Sequence, residues 1–437
     1  MTQAPRHHER DQRTAAVRHG RLPRRRAVGA IAKVLAAVIA VIAVSGVSVA
    51  AYAVWDVSRS IQPGVKLPSL PGQTQQAIPS VGAIDGGVNL LLAGTDSRSN
   101  LGGIYNSPAE QDASSGAGNN DVTMLLHIAQ NHRSALVISF PRDLMVSIPD
   151  CPDPSGKGTV SGSDLAMFNS ALSRGGLGCV VLTVEKLTGV QIPFAAAVDF
   201  NGVSAMSNAI GGVTVCLASP VTDAYTNPPL DLPAGQNTLV GDQALSFLRS
   251  RHGVGDGSDL GRISNQQVFL SALARKVVSG GVLSNPVQLY GLAKAAVKNI
   301  TPSESLANPT TLVQIGLAMQ DTGLGNMVFV QYPVYSDPDN ANRVIVNQTA
   351  ADVLDNALVK DLPVQITGTT GRAAETTPGP TLSPAPPATP TATPIAPTSP
   401  STPAPSVTPT PGQTTVPLPT DITGQTAAQQ TCTKGNN

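Results

Sequence analysis

Apolar positions along this chain follow two periods, and where they break, charge appears. Residues 88–93 are an almost unbroken apolar run ending in Gly94-Thr95-Asp96-Ser97-Arg98, the pattern of a buried strand that delivers polar side chains at its C-terminal end. Residues 121–128 and 134–140 read as two more strands, and the second ends in Pro141-Arg142-Asp143. Asp121 opens its strand, whereas Asp96 and Arg142 close theirs. These three meet at one sheet edge only if the 121–128 strand is antiparallel to the other two, which predicts a mixed sheet. His127, in mid-strand, reads as a hydrogen-bonded, half-buried residue rather than a ligand.

Farther along, helical spacing covers 163–174 and 179–187, with Ser163 as N-cap and Gly189 as stop. Strands at 192–200 and 213–217 flank a helix at 202–210. Helices at 286–298, 310–319 and 350–359 and a strand at 327–332 follow. This alternation predicts an α/β domain, a mixed central sheet with helices on both faces, over residues 85–370.

The stretch 241–273, GDQALSFLRSRHGVGDGSDLGRISNQQVFLSAL, places three arginines around a glycine-rich break between two helices. Arg249 and Arg251 would diverge on a helix and align on extended chain, so the first helix is expected to end near Leu248. Arg262 and Gln266 share a face of the second helix, and Arg275 lies farther along the same helix. Guanidinium forks suit phosphate oxygens. Spacing alone leaves equal room for a solvated face paired to Asp242, Asp256 and Asp259.

The chain's ends differ from this middle. Residues 1–33 are Arg-rich and precede an Ala/Val/Ile run at 34–55 long enough to span a bilayer, which needs about 20 apolar residues. The positive-inside bias makes 1–33 cytoplasmic and the rest extracellular, a single-pass cell-membrane protein. Ala51-Tyr52-Ala53 leaves a cleaved signal peptide as the alternative. Residues 56–84 read as a stalk. From 371 to 437 Pro, Thr, Ser and Ala dominate, and 373–437 lacks Phe, Trp and Tyr, so this tail is expected to be disordered.

Nine of 28 basic residues lie in the first 33, which leaves 19 against 26 acidic residues beyond them. A net-negative body excludes general nucleic-acid binding. The four cysteines follow the membrane segment, where oxidation is permitted. Cys151 and Cys179 flank a Gly/Pro loop and one helix and are expected to pair; Cys216 and Cys432 stay unassigned, because the tail would have to reach back. No Cys/His zinc pattern, G-x-S-x-G elbow or complete phosphate loop is present. Asp96 and Asp121 beside arginines suit Mg²⁺, or Mn²⁺, that shares phosphate oxygens with a substrate.

The motifs NLLLAGTDSR, NDVTMLLHI, VISFPRDLMVSIP, VDFNGVSAMSNAIGGVTV and QALSFLRSRH with DGSDLGRISNQQ, in this order over residues 86–358, resemble the LytR-CpsA-Psr family. The Ala/Pro/Gly-rich composition is similar to its actinobacterial members. The resemblance implies a phosphotransferase that moves a glycopolymer from polyprenyl pyrophosphate to peptidoglycan, and a hydrophobic groove for the lipid. It implies metal binding by Asp96 and Asp121, and pyrophosphate or head-group contacts by Arg142, Arg249, Arg251, Arg262 and Gln266. Asp143 is expected to orient an arginine, and Arg98 and Asn119 to border the substrate. Family members often carry Arg where Asn119 stands, so a scaffold that binds lipid pyrophosphate without turnover, or a lipid pyrophosphatase, remain alternatives.

Overall fold

The computed structural model describes residues 24–73, 88–97, 118–278, 281–282, 285–376 and 415–436. Strands β1 (Val88–Thr95), β2 (Asn120–Ile128) and β3 (Ala135–Phe140) form where the apolar runs put them, and β2 is antiparallel to both neighbours. β4 (Phe194–Val198) is parallel to β1, and β8 (Met327–Gln331) is parallel to β3. With β7 (Ile300–Pro302) and β10 (Gly424–Thr426) on the edges, the order is β7-β4-β1-β2-β3-β8-β10, a mixed sheet.

Alternation along the strands divides the core into two layers. Leu91, Leu125 and Ile138 pack with Val180 and Val184 of α2 (Ala171–Thr188) and Leu354 of α8 (Gln348–Val359). Leu90, Leu126 and Val137 pack on the opposite face with Ala274 of α5 (Asp259–Val278) and Ile315 of α7 (Pro309–Thr322). Helices therefore cover both faces. His127 is buried and bonded to Asn89 Oδ1 at 2.8 Å and Asp361 Oδ1 at 2.9 Å, as expected.

Three expectations need correction. Residues 163–174 are not one helix: Ser163–Met167 is a strand paired with Met145–Ile148, followed by a 3-10 turn at Phe168–Ser170. The helical spacing was short enough to coincide with a strand carrying exposed Leu165. α2 begins at Ala171 and ends at Gly189, whose φ of 77° and N–H bond to the Glu185 carbonyl make the expected stop.

Second, part of the predicted stalk is docked. α1 (Arg24–Ser60) is followed by extended chain in which Val65 N–H bonds the Pro302 carbonyl at 2.8 Å and Glu304 N–H bonds the Val65 carbonyl at 2.9 Å. Residues 1–23 and 74–87 lie outside the described residues. In α1 the described side chains Ile31, Leu35, Ile39 and Val44 are exposed; among the described residues no helix is long and apolar enough to cross a membrane.

Third, the domain does not end at 370, and residues 415–436 are folded. β10 adds to the central sheet. β11 (Thr431–Thr433) lies between β5 (Val213–Leu217) and β9 (Ala374–Thr376) in a second sheet of order β6-β5-β11-β9, where β6 is Gly235–Leu239. Composition over the whole tail hid a segment whose Leu418, Ile422, Ala427 and Cys432 are buried. Cys432 pairs with Cys216, and Cys151 pairs with Cys179 as expected. Residues 377–414 lie outside the described residues.

Candidate functional site

The antiparallel placement of β2 brings its first residues beside the ends of β1 and β3, so Asp121, Asp96 and Arg142 meet at one sheet edge. β2 starts rigidly: the buried Asn120 donates to Thr123 Oγ1 at 3.0 Å and accepts from the Leu172 N–H at 3.1 Å. Arg142 follows β3 and its Nη1 donates to Asp121 Oδ2 at 2.9 Å. Its Nε lies 3.5 Å from Asp259 Oδ1 and 3.6 Å from Asp143 Oδ1. Burial opposes the charge on Arg142, but Asp121, Asp259 and Asp143 together outweigh it and hold the guanidinium above its ordinary pKa.

Asp259 opens α5, and Arg262 stands one turn later with Nη2 2.6 Å from Asp259 Oδ1. The same nitrogen donates to the Asp121 main-chain carbonyl at 2.7 Å. Burial lowers the Arg262 pKa most, with Asp259 acting against it. The Asp259 partner of the solvated-face alternative is thus realised, but inside the protein: Arg262 is 4 % exposed and Asp259 7 %.

α4 (Asp242–Arg249) ends close to the expected Leu248, and its capping residue Ser250 has the extended ψ of 130°. Arg249 and Arg251 then take different settings. The Arg249 guanidinium lies 4.2 Å from the centroid of the Phe200 ring. Arg251 lines a cleft with Arg142, Asp143 and Asp259. Asp143 is pushed up in pKa by burial first and by Asp259 second, while Arg142, Arg251 and Arg343 pull it back. Asp143 therefore sits among arginines.

Gln266 is buried, with Nε2 donating to the Leu248 carbonyl at 2.9 Å. Its neighbour Asn265 does the same for the Phe247 carbonyl at 2.8 Å. These bonds satisfy carbonyls left open at the end of α4 and fix the arginine turn. The structure gives Gln266 this positioning contact. Asn265 was missed as a site builder, and Asp259 entered only as a partner on a solvated face, although its place three residues before Arg262 carried a legible helix-spacing signal.

At the β1 end Asp96 is oriented by backbone. Asp96 Oδ1 accepts the Asn119 N–H at 2.6 Å, and the Asp96 N–H bonds the Asn119 carbonyl at 3.1 Å. Gly118, at φ 69°, permits this, since a Cβ there would lie 2.6 Å from Asp96 Oδ1. Asn119 thus has a structural backbone role that its side chain does not decide. Arg98 lies outside the described residues.

Among the described residues no group of three or more His, Cys, Asp or Glu is arranged to hold a metal. Asp96 and Asp121 are a two-carboxylate set, and Asp121 remains partly exposed beside Arg142. That fits a hard cation completing its shell with water and substrate phosphate oxygens, not an all-protein cage.

Residues 61–360 match the family model described as LytR_cpsA_psr family. The cell wall biosynthesis protein LcpA of Corynebacterium glutamicum is 30% identical over 274 residues, covering 58% of this chain and 51% of that one. The probable cell wall biosynthesis protein LcpB of the same organism is 31% identical over 270 residues, covering 61% and 60%. A polyisoprenyl-teichoic acid–peptidoglycan teichoic acid transferase, TagU of Oceanobacillus iheyensis, is 31% identical over 192 residues, covering 44% and 52%. The chain spans about half the length of the curated relatives it matches. Among solved structures, protein gbs0355 from Streptococcus agalactiae is similar in fold, with a TM-score of 0.50 at 21% identity, covering 63% of this chain and 87% of that one. With the shared motifs gathered at one sheet edge and the family match covering more than half of its length, the chain belongs to the LytR_cpsA_psr family.

Proposed function

We propose that this protein is a membrane-anchored phosphotransferase that ligates a glycopolymer carried on polyprenyl pyrophosphate to a peptidoglycan hydroxyl. The observation that carries the reading is the Arg142 guanidinium held between Asp121, Asp143 and Asp259, with buried Arg262 fixing the same strand end. In the reaction the acceptor oxygen attacks the phosphorus that bears the glycopolymer. The bond from that phosphorus to the bridging oxygen breaks, polyprenyl phosphate leaves with the electron pair, and the hydroxyl proton passes to solvent. A phosphodiester results. Phosphoryl transfer through a loose transition state needs positioning and charge stabilisation more than a strong base. Arg142 and Arg251 supply positive charge at the cleft, and Asp143 and Asp259 set the orientation of Arg142. Mg²⁺ or Mn²⁺ held by Asp96 and Asp121 would neutralise pyrophosphate oxygens.

Names of relatives that transfer teichoic acid to peptidoglycan support the reaction class. The 34–55 run supports a single-pass anchor with the N-terminus cytoplasmic and the domain extracellular. The test incubates the full chain in detergent with a lipid-linked oligosaccharide and uncrosslinked glycan strands, with and without Mg²⁺, and follows product mass. A glycan–phosphate–glycan product formed only with metal is expected. Free phospho-oligosaccharide in its place would make the protein a lipid pyrophosphatase, and bound donor without any product would make it a scaffold.

A further inference from the structure

The arginine site continues into a cleft of about 550 Å³ between the 251–260 turn and the hairpin of Val334–Ser336 and Val344–Val346. Arg142, Asp143, Arg251 and Asp259 line one end, and Arg343 and Arg372 border the same space. Its walls are mostly polar, which suits a saccharide and not a polyprenyl chain, and its size is that of a small-molecule site.

Both added arginines are held by built structure. The hairpin carrying Arg343 is docked through the Val344 N–H on the Asp143 carbonyl at 3.2 Å. Among the described residues the Arg343 guanidinium bonds only the Asn342 carbonyl, at 2.9 Å, so its charge remains available. Arg372 Nη1 lies 2.8 Å from Asp256 Oδ2, and Asp256 Oδ1 is fixed by the Ser258 N–H at 3.1 Å. The next residue, Ala373, donates to Ser264 Oγ at 3.2 Å and accepts the Lys434 N–H at 2.8 Å. Arg372 is therefore clamped between α5 and the C-terminal segment that Cys216–Cys432 secures.

Charge decides what this cleft accepts. Four arginines face three carboxylates, and one of those carboxylates, Asp259, is also engaged by Arg262 from outside the lining, so the cleft keeps an excess of positive charge although Arg372 is paired with Asp256. The family match ends at residue 360, so Arg372 lies beyond it. We propose that Arg343 and Arg372 form an anion subsite, which takes a carboxylate or phosphate carried on the saccharide portion of donor or acceptor and sets which glycan is used. This deepens the ligase reading and rests on it.

The test measures binding calorimetrically with the full chain, so no turnover is required. Wild type, Arg343→Gln, Arg372→Gln and the double variant are titrated with two probe pairs. One pair is a glycan strand with free stem-peptide carboxylates and its fully amidated counterpart. The other is a polyprenyl-pyrophosphate oligosaccharide with and without a succinyl group. Each single substitution should weaken the member of one pair that carries the added anion by about tenfold, the double variant more, and the members lacking that anion not at all. The pair that responds identifies the source of the anion. Equal weakening of both members of each pair, or no weakening in a double variant with unchanged melting temperature, overturns the subsite. Normal probe binding without transfer product would instead overturn the ligase reading and leave the subsite standing.

Discussion

Arg262 donates to the main-chain carbonyl of Asp121 across 141 positions of sequence, at 2.7 Å, so one buried guanidinium ties the start of α5 to the strand end that carries the metal-binding candidate. Site and fold are therefore coupled through a single side chain. Its second partner, Asp259, is equally enclosed.

Arg262→Ala should accordingly cost stability as well as function. It leaves Asp259 buried without its closest cation, a loss of about 3–5 kcal/mol for a broken buried pair. Arg262→Lys keeps charge but not the fork that reaches both partners, and should recover part of the stability. Urea unfolding alongside donor-binding titration checks this. An Arg262→Ala protein that unfolds like wild type and loses only donor affinity would make Arg262 a surface ligand after all.

Asp121→Asn should leave the fold intact, because Arg142 retains Asp143 and Asp259 as neighbours. Removing a charged ligand should raise the Mg²⁺ or Mn²⁺ concentration for half-maximal transfer by about tenfold or more. Asp96→Asn should do the same. Calorimetric metal titration of the protein with bound donor provides a readout independent of turnover. Unchanged metal affinity in both variants would remove the carboxylates from the metal site.

Much of this site was legible because sheet geometry and charge position agree. Asp96, Asp121 and Arg142 sit at the ends of apolar runs, and only one relative strand direction unites them. Arg343 and Arg372 gave no such signal, since one is at the base of a hairpin loop and the other in chain that composition assigned to a tail. The C-terminal segment was misjudged for the same reason: its few apolar anchors are diluted by the Pro/Thr/Ser-rich stretch before it. Arg275 lies outside the motif on α5, yet its Nη1 holds the Ala427 and Gln429 carbonyls at 2.7 and 3.1 Å. No period in the sequence announces a partner 152 positions away.

That long return makes Cys216–Cys432 the more consequential disulfide. It closes a separation of 216 residues, against 28 for Cys151–Cys179. In the chain-entropy model these correspond to about 5 and about 4 kcal/mol. Cys432→Ser should lower the unfolding midpoint more than Cys151→Ser and expose β11 and β10 to protease. Trypsin cleavage at Lys434 and loss of the C-terminal peptide, read by mass, reports that release. An unchanged cleavage pattern would mean that the strand pairing holds the segment without the bond.

Glu185 supplies a pH test distant from the site. Its Oε1 accepts the Ile192 N–H at 2.8 Å, while buried Oε2 has no hydrogen-bond partner. Burial lifts its pKa from 4.5 to about 7, against the opposing Ile192 bond. The folded state thus prefers the neutral acid. The stability this contributes is fully present below about pH 4.5 and is lost as pH rises to about 7, amounting to about 3 kcal/mol at most. Asp355, lifted to about 7 by burial and bonded by Tyr332 Oη at 2.9 Å, acts with the same sign. Glu185→Gln keeps the shape, cannot ionise, and removes only the Glu185 part. Denaturant unfolding at about pH 5 and about pH 8 should therefore show a stability difference smaller in Glu185→Gln than in wild type by about 2–3 kcal/mol. Equal differences in the two proteins would place Glu185 ionised in the fold and strike out the burial argument.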